Sequence, residues 1–157
     1  MVYITNSVIS ISNSILTKES GDSSNIENTE FYGVNAAVLF QGGEVTMSGG
    51  KIITKAKGSN ALCTTNNGKV TISGTEIESK ADSPAIGLHT TFGGNIISKN
   101  VKISTTGSSY SSLATDRGER TVSCSSCILS TSGKGNPLIY STGVITISQT
   151  TGTSTGA

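Results

Sequence analysis

The chain has 157 residues, 34% hydrophobic and only 4% aromatic, and its 11 basic and 10 acidic residues leave a net charge of +1. This length fits one domain but the composition is lean for a globular core, and the scattered charge offers no nucleic-acid footprint. No apolar run approaches the ~20 residues of a membrane-spanning helix, and residues 1–10 lack the basic start and apolar core of a signal peptide, so neither nucleic acid nor membrane insertion is expected.

In chain order, residues 1–5 (MVYIT) already read as strand. Residues 8–12 and 14–18 predict two short strands, because Ile9, Ile11 and Leu16 alternate with Ser and Thr at period two. Residues 21–32, GDSSNIENTEFY, form an insertion of about eleven residues relative to the later coils, expected as a surface loop over about 21–33.

From Val34 onward the chain repeats. The first apolar residue after each turn falls at Ile9, Val45, Val70, Ile96, Val122 and Ile145, with spacings of 36, 25, 26, 26 and 23. A second anchor stands seven residues later at Leu16, Ile52, Ile77, Ile103 and Leu129, and a third set, Val38, Leu62, Ile86, Leu113 and Ile139, precedes each turn. Met47, Ile72, Ser98, Cys124 and Ile147 share the inward face, while Thr46, Thr71, Ile97, Ser123 and Thr146 point out. Three short strands recurring about every 25 residues predict an all-β parallel β-helix, or solenoid, of about six coils with three strands per coil, in a single domain over residues 1–157. A helix would need an i, i+3, i+4 stripe that no window supplies, and an antiparallel sandwich has no reason to repeat at constant interval. Right-handedness follows the general preference of parallel crossovers.

The turns fit this reading. Four residues after each anchor stand Gly49, Gly74, Asn100, Ser126 and Gln149, where a tight corner favours φ > 0. Gly107 and Gly133 mark the next corner, where Ala56 and Ala81 stand in earlier coils, and Pro84 and Pro137 open the third strand, where a missing donor costs least.

Three cysteines cannot all pair within the chain, so a disulfide scaffold is disfavoured. Cys124 and Cys127 suggest a redox or zinc pair, but their register places both inside the coil with no second ligand pair, so they are expected as buried free thiols. No cofactor and no metal site is expected. None of the 11 Asn residues lies in a glycosylation sequon.

The segment VTMSGGKIITKAKGSNALCTTNNGKVTISGTEIESKADSPAIGL, with HTTFGGNI, ATDRGER and PLIYSTGVITIS after it, resembles right-handed parallel β-helix proteins of the pectin-lyase-like type, and among them bacterial surface repeats. The similarity covers about residues 34–148. The resemblance implies either polysaccharide lyases and hydrolases or non-catalytic adhesin, fibre and glycan-binding solenoids, and it implies an extracellular or cell-surface location. The Asn-x-Asp, Asp-Asp, Gly-His-Gly and Arg-x-Lys motifs of polygalacturonase-type members are absent, and Glu76, Glu78, Asp82, Asp116 and Glu119 are dispersed rather than paired for hydrolysis or gathered for Ca²⁺. A non-catalytic structural or adhesive module is therefore expected, with carbohydrate binding or polysaccharide cleavage as alternatives. Ice binding is remote, because Ile97 and Ser123 interrupt the outer Thr column.

The candidate ligand site is the corner where His89 and Phe92 of one coil neighbour Asp116, Arg117 and Glu119 of the next, extended by Asn66 and Asn67 one coil earlier. Stacked coils lie ~4.8 Å apart, close enough for these side chains to meet one polysaccharide or surface glycan, with Phe92 as the stacking face. The plainer alternative is a solvated Asp116–Arg117 pair. Neither end offers a capping segment, so end-to-end self-association is expected of a piece of a longer solenoid or a fibre unit.

Overall fold

A computed structural model describes residues 1–23, 25–80, 85–108 and 110–156. Ala81, Asp82 and Pro84, which entered the reading of the corners, the acidic residues and the third strand, lie outside the described residues. The strands are β1 (Val2–Ser12), β2 (Ile15–Lys18), β3 (Val38–Ser48), β4 (Lys51–Thr54), β5 (Leu62–Thr65), β6 (Lys69–Ser73), β7 (Glu76–Ser79) and β8 (Leu88–Thr90). They continue as β9 (Asn95–Lys99), β10 (Lys102–Thr105), β11 (Leu113–Thr115), β12 (Thr121–Ser125), β13 (Ile128–Thr131), β14 (Ile139–Ser141), β15 (Val144–Ser148) and β16 (Thr151–Ser154). Among the described residues a single short helix, α1 (Ile26–Tyr32), separates β2 from β3.

The pairing is that of a parallel solenoid. β1, β3, β6, β9, β12 and β15 stack in one parallel ladder, β2, β4, β7, β10, β13 and β16 in a second, and β5, β8, β11 and β14 continue from β3 in a third. The predicted first anchors are direct partners throughout: Ile9 on Val45, Val45 on Val70, Val70 on Ile96, Ile96 on Val122, Val122 on Ile145. Leu16, Ile52, Ile77, Ile103 and Leu129 align in the second ladder. These columns form one continuous buried core, because each inward side chain packs on the equivalent residue of the turns above and below.

The turn count is a correction. Six rungs stack, but only the four turns from β3 to β13 have a neighbour on both sides and carry buried inward residues on every flank. In the outer rungs Ile9, Ile11 and Leu16 are half-buried, and Ile147, in the column of Cys124, is 48% exposed. The body of the solenoid is thus about four turns rather than six.

The corner after the first strand is left-handed in every rung: Asn13, Gly49, Gly74, Asn100, Ser126 and Gln149 have φ between 47° and 62°. Each of the first five donates its N–H to the carbonyl at the end of the next rung's strand, as Gly74 N does to Lys99 O at 3.0 Å. The ladder is thereby carried around the bend, so the conformation is kept even where the side chain is not Gly or Asn.

The flank of β4, β7 and β10 presents charge in register. Lys51, Glu76 and Lys102 are successive partners, and Lys51 Nζ lies 2.6 Å from Glu78 and 3.4 Å from Glu76. These opposite charges face one another across adjacent strands. Here Glu76 and Glu78 belong to ion pairs.

Three further expectations change. The third-ladder anchor is Leu88, not Ile86: Val38, Leu62, Leu88, Leu113 and Ile139 are the aligned residues, because one additional residue separates Ile77 from β8 compared with the other turns. The insertion contains α1, and it folds back on the solenoid rather than projecting. Cys124 and Cys127 are joined in a disulfide with Cα atoms 6.1 Å apart, not held as free thiols; the corner between β12 and β13 turns both side chains toward each other. Cys63 is the free cysteine and is buried.

Candidate functional site

α1 is short, and its ends and one face hold it in place. Asn25 caps its N-terminus, the side chain accepting from Asn28 N at 3.0 Å. Gly33 ends it with φ 64°, and a Cβ at Gly33 would stand 2.5 Å from Cys63 Sγ, so the position requires glycine for both backbone and space. The Thr29 hydroxyl is buried within 2.8 Å of Ser23 Oγ and 3.2 Å of Gly58 O. Asn60 Nδ2 donates to Thr29 O at 3.0 Å, and Thr91 Oγ1 donates to Phe31 O at 2.8 Å.

The end of α1 carries two aromatic rings, and each meets the predicted corner. Tyr32 stacks on Phe92, and the Arg117 guanidinium lies 4.1 Å from the centroid of the Phe31 ring. Phe92 and Arg117 both have positive φ, 43° and 61°, and Phe92 N donates to Arg117 O at 2.7 Å. Left-handed backbone at a bulky residue is costly. At this corner the aromatic and cation–π contacts with α1 offset that cost.

The helix thereby covers the outward face of the third ladder. Leu39, Cys63, His89, Ala114 and Tyr140 form its outward column, and the first four are buried. Asn60 Oδ1 accepts from Ile86 N at 3.0 Å, which fixes the amide, and Asn60 Nδ2 points at His89 Nδ1 at 3.2 Å. His89 Nδ1 is then an acceptor and Nε2 carries the proton. Burial pushes the imidazole down to about 4, so it is neutral at pH 7.

Cys63, His89 and Asn60 are a nucleophile–base–orienter set by residue type, but not by geometry. Cys63 Sγ approaches the same Nδ1, at 3.8 Å, that Asn60 occupies, and burial pushes the thiol up to about 12. A thiol sealed from solvent and kept protonated is no nucleophile.

His89 instead borders an open cavity of about 370 Å³ between α1 and the flank of β8, β11 and β14. Glu30 of α1 and Asp116, just after β11, contribute carboxyl groups, and Tyr110 and Tyr140 contribute rings. Burial raises the Glu30 carboxyl above its ordinary range; a hydrogen bond from Tyr110 opposes that shift, and the Asp116 charge adds to it. Tyr110 is pushed up to about 12 by burial, with Glu30 contributing through charge and hydrogen bond. Asn136 Oδ1 accepts from Tyr110 N at 2.7 Å, which anchors that wall. Ser111, 1% exposed, also lines the cavity, and its Oγ has no hydrogen-bond partner among the described residues.

Of the seven residues proposed from sequence, the structure brings His89 and Asp116 to this cavity. Phe92 and Arg117 hold α1 in place, so the Phe92 ring meets Tyr32. Asn66 and Asn67 are exposed left-handed turn residues, and Glu119 is exposed. No Asp116–Arg117 ion pair occurs among the described residues; Asp116 accepts from Thr142 Oγ1 at 3.4 Å. Sequence reasoning missed Glu30, Tyr110, Ser111 and Tyr140. Tyr140 was within reach, since it follows Ile139 and shares the His89 column; Glu30 was not, since the insertion has no counterpart in the repeat.

No protein-family model, curated protein or solved structure matches this chain.

Proposed function

We propose that the chain is a non-catalytic structural and adhesive β-solenoid module of the cell surface or extracellular space, engaging a glycan through the cavity beneath α1. The observation that carries this reading is the cavity's lining: two tyrosine rings beside the neutral His89, two carboxyl groups and the unpartnered Ser111 hydroxyl. Sugar rings are bound by aromatic faces, and their hydroxyls take both donors and acceptors. The Cys124–Cys127 disulfide supports an oxidising compartment. The ion-paired β4–β7–β10 flank supports a stable structural surface rather than a second site.

A glycan array tests the reading. Retention of defined glycans by the wild-type chain, lost with Tyr140→Ala and not accompanied by new reducing ends or unsaturated products, is the expected result. Turnover would replace it with the enzymatic alternative, and an array without retained glycans would remove the adhesive part.

End-to-end stacking of copies is a second reading, favoured by the exposure of Ile147 in a column whose inner members Met47, Ile72, Ser98 and Cys124 are buried. Light scattering that grows with protein concentration would support it, and a monomer at tens of micromolar would not.

A further inference from the structure

We infer that the cavity beneath α1 selects a saccharide bearing a free, protonated amine, a hexosamine rather than a neutral or N-acylated sugar. The inference rests on the glycan reading of the same cavity and adds the charge of the ligand.

Two acidic residues reach the space from different sides, Glu30 from α1 and Asp116 from the end of β11. No Lys or Arg lines the cavity among the described residues. Arg117, the nearest cation in sequence, is engaged over the Phe31 ring. Among the described residues Asp116 receives only the long contact from Thr142, and the Tyr110 hydroxyl that acts on Glu30 is neutral. The Asp116 charge acts on the Glu30 carboxyl across the cavity, and a cation placed between the two groups would offset it while gaining charge-assisted hydrogen bonds.

The remaining groups say what else that cation carries. Asn60 assigns the His89 proton to Nε2, the ring nitrogen for which no hydrogen bond is found among the described residues. Ser111 Oγ is buried and unpartnered at the same cavity, an arrangement that costs free energy unless a ligand completes it. A bare alkylamine has no acceptor to offer these two hydroxyl-seeking groups; a sugar hydroxyl does. Tyr110 and Tyr140 add apolar ring surface to the lining. A volume of about 370 Å³ lies at the low end of small-molecule sites, roughly 300–1,000 Å³, which suits one ring and not a run of rings.

The test is calorimetric titration of the full chain at pH 7 with glucosamine, N-acetylglucosamine, glucose and ethylamine. Glucosamine is expected to bind at least tenfold more tightly than each of the other three. Glu30→Gln and Asp116→Asn are each expected to weaken glucosamine binding about tenfold, by more than they weaken glucose binding. Circular dichroism confirms that the variants fold; Asp116, at the rim, serves alone if Glu30→Gln does not. Equal affinity for the three sugars would overturn the amine selectivity while leaving the glycan reading intact. Ethylamine binding as tightly as glucosamine would overturn the saccharide part. No binding by any sugar would overturn both this inference and the glycan reading, and unchanged glucosamine affinity in folded Asp116→Asn would overturn the role given to the carboxyl groups.

Discussion

Tyr32 and Phe92 stack with ring centroids 5.7 Å apart and planes inclined by 23°, joining the end of the inserted helix to a corner of the solenoid two turns away. Such a pair is worth roughly 0.5–1.5 kcal/mol beyond its buried area, and with Phe31 and Arg117 it keeps α1 closed over Cys63. Phe31→Ala with Tyr32→Ala is therefore expected to loosen the helix without unfolding the ladders. Cys63 is the free thiol of the chain, so its rate of reaction with an aromatic disulfide reagent reports the opening. At least a tenfold increase is expected; an unchanged rate would mean that Thr29, Asn60 and Thr91 suffice to hold the helix.

The left-handed corners give a pair of opposite substitutions. Ser126 adopts φ 54° at a cost of roughly 1–2 kcal/mol for an L-residue, and Ser126→Gly is expected to stabilise the chain by about 0.5–1 kcal/mol. Gly74 has φ 59° and open space around its missing Cβ, with Gly49 N the nearest atom at 3.9 Å. Gly74→Ala should cost about 1 kcal/mol from backbone conformation alone. Thermal melts of both variants check the signs, and a shift in the same direction would contradict the shared geometry.

Buried His89 makes stability depend on acid. The unfolded imidazole titrates near 6.5 and the folded one near 4, so between these values the unfolded state binds the additional proton. Stability from this group is complete above pH 6.5 and is lost as pH falls toward 4, by about 3 kcal/mol in total. Denaturant titrations at pH 7 and pH 4.5 measure most of the loss, and the His89 ring proton shifts should stay near constant from pH 7 to about pH 5.5 and move only below that. Cys63 has the opposite dependence: its folded pKa is raised, so its contribution is lost as pH rises from 9 toward 12.

The centre of the core tolerates little. Ile77 is fully buried between Ile52 and Ile103, and neighbouring turns cannot collapse into a void without breaking ladder register. Ile77→Ala is expected to cost about 2–5 kcal/mol. The same substitution at Ile97, 43% exposed on the outward face of β9, should change stability by less than about 0.5 kcal/mol.

Reduction of the disulfide should be mild. The bridge closes a loop of sequence separation 3, for which the chain-entropy relation gives at most about 2 kcal/mol. Reduced chain and Cys124→Ser with Cys127→Ser are expected to retain the strand spectrum in circular dichroism. Complete unfolding on reduction would assign the bridge a larger role.

The sequence made the ladders legible because a parallel solenoid repeats its physics: Val45, Val70, Ile96 and Val122 face identical neighbours and so are held to the same chemistry. The reading slipped where a turn changed length, at Ile86 in place of Leu88, since spacing alone does not locate the residue that compensates. Cys124 and Cys127 were placed inside the coil, as found, but not joined, because their approach depends on the tightness of one corner. The candidate site was half legible. His89 and Asp116 sit on repeating strands or just beyond them, whereas Glu30 belongs to the segment that departs from the repeat, and the fold of an insertion is set by contacts that periodicity does not encode.

The reach of α1 also has a consequence in time. Its carbonyl at Phe31 is held by Thr91, 60 residues later, and its Glu30 shares a cavity with Tyr140, later still. Neighbouring turns dock over about 25 residues and assemble one after another, as in other repeat proteins. The cavity closes only when widely separated stretches have both arrived, and contacts of that separation form slowly. During synthesis the helix therefore waits, uncovered on its sheet-facing side, while several rungs are laid down. A chain halted after β10 would lack Tyr110, Asp116 and Tyr140, so the complete cavity exists only once winding has passed β14.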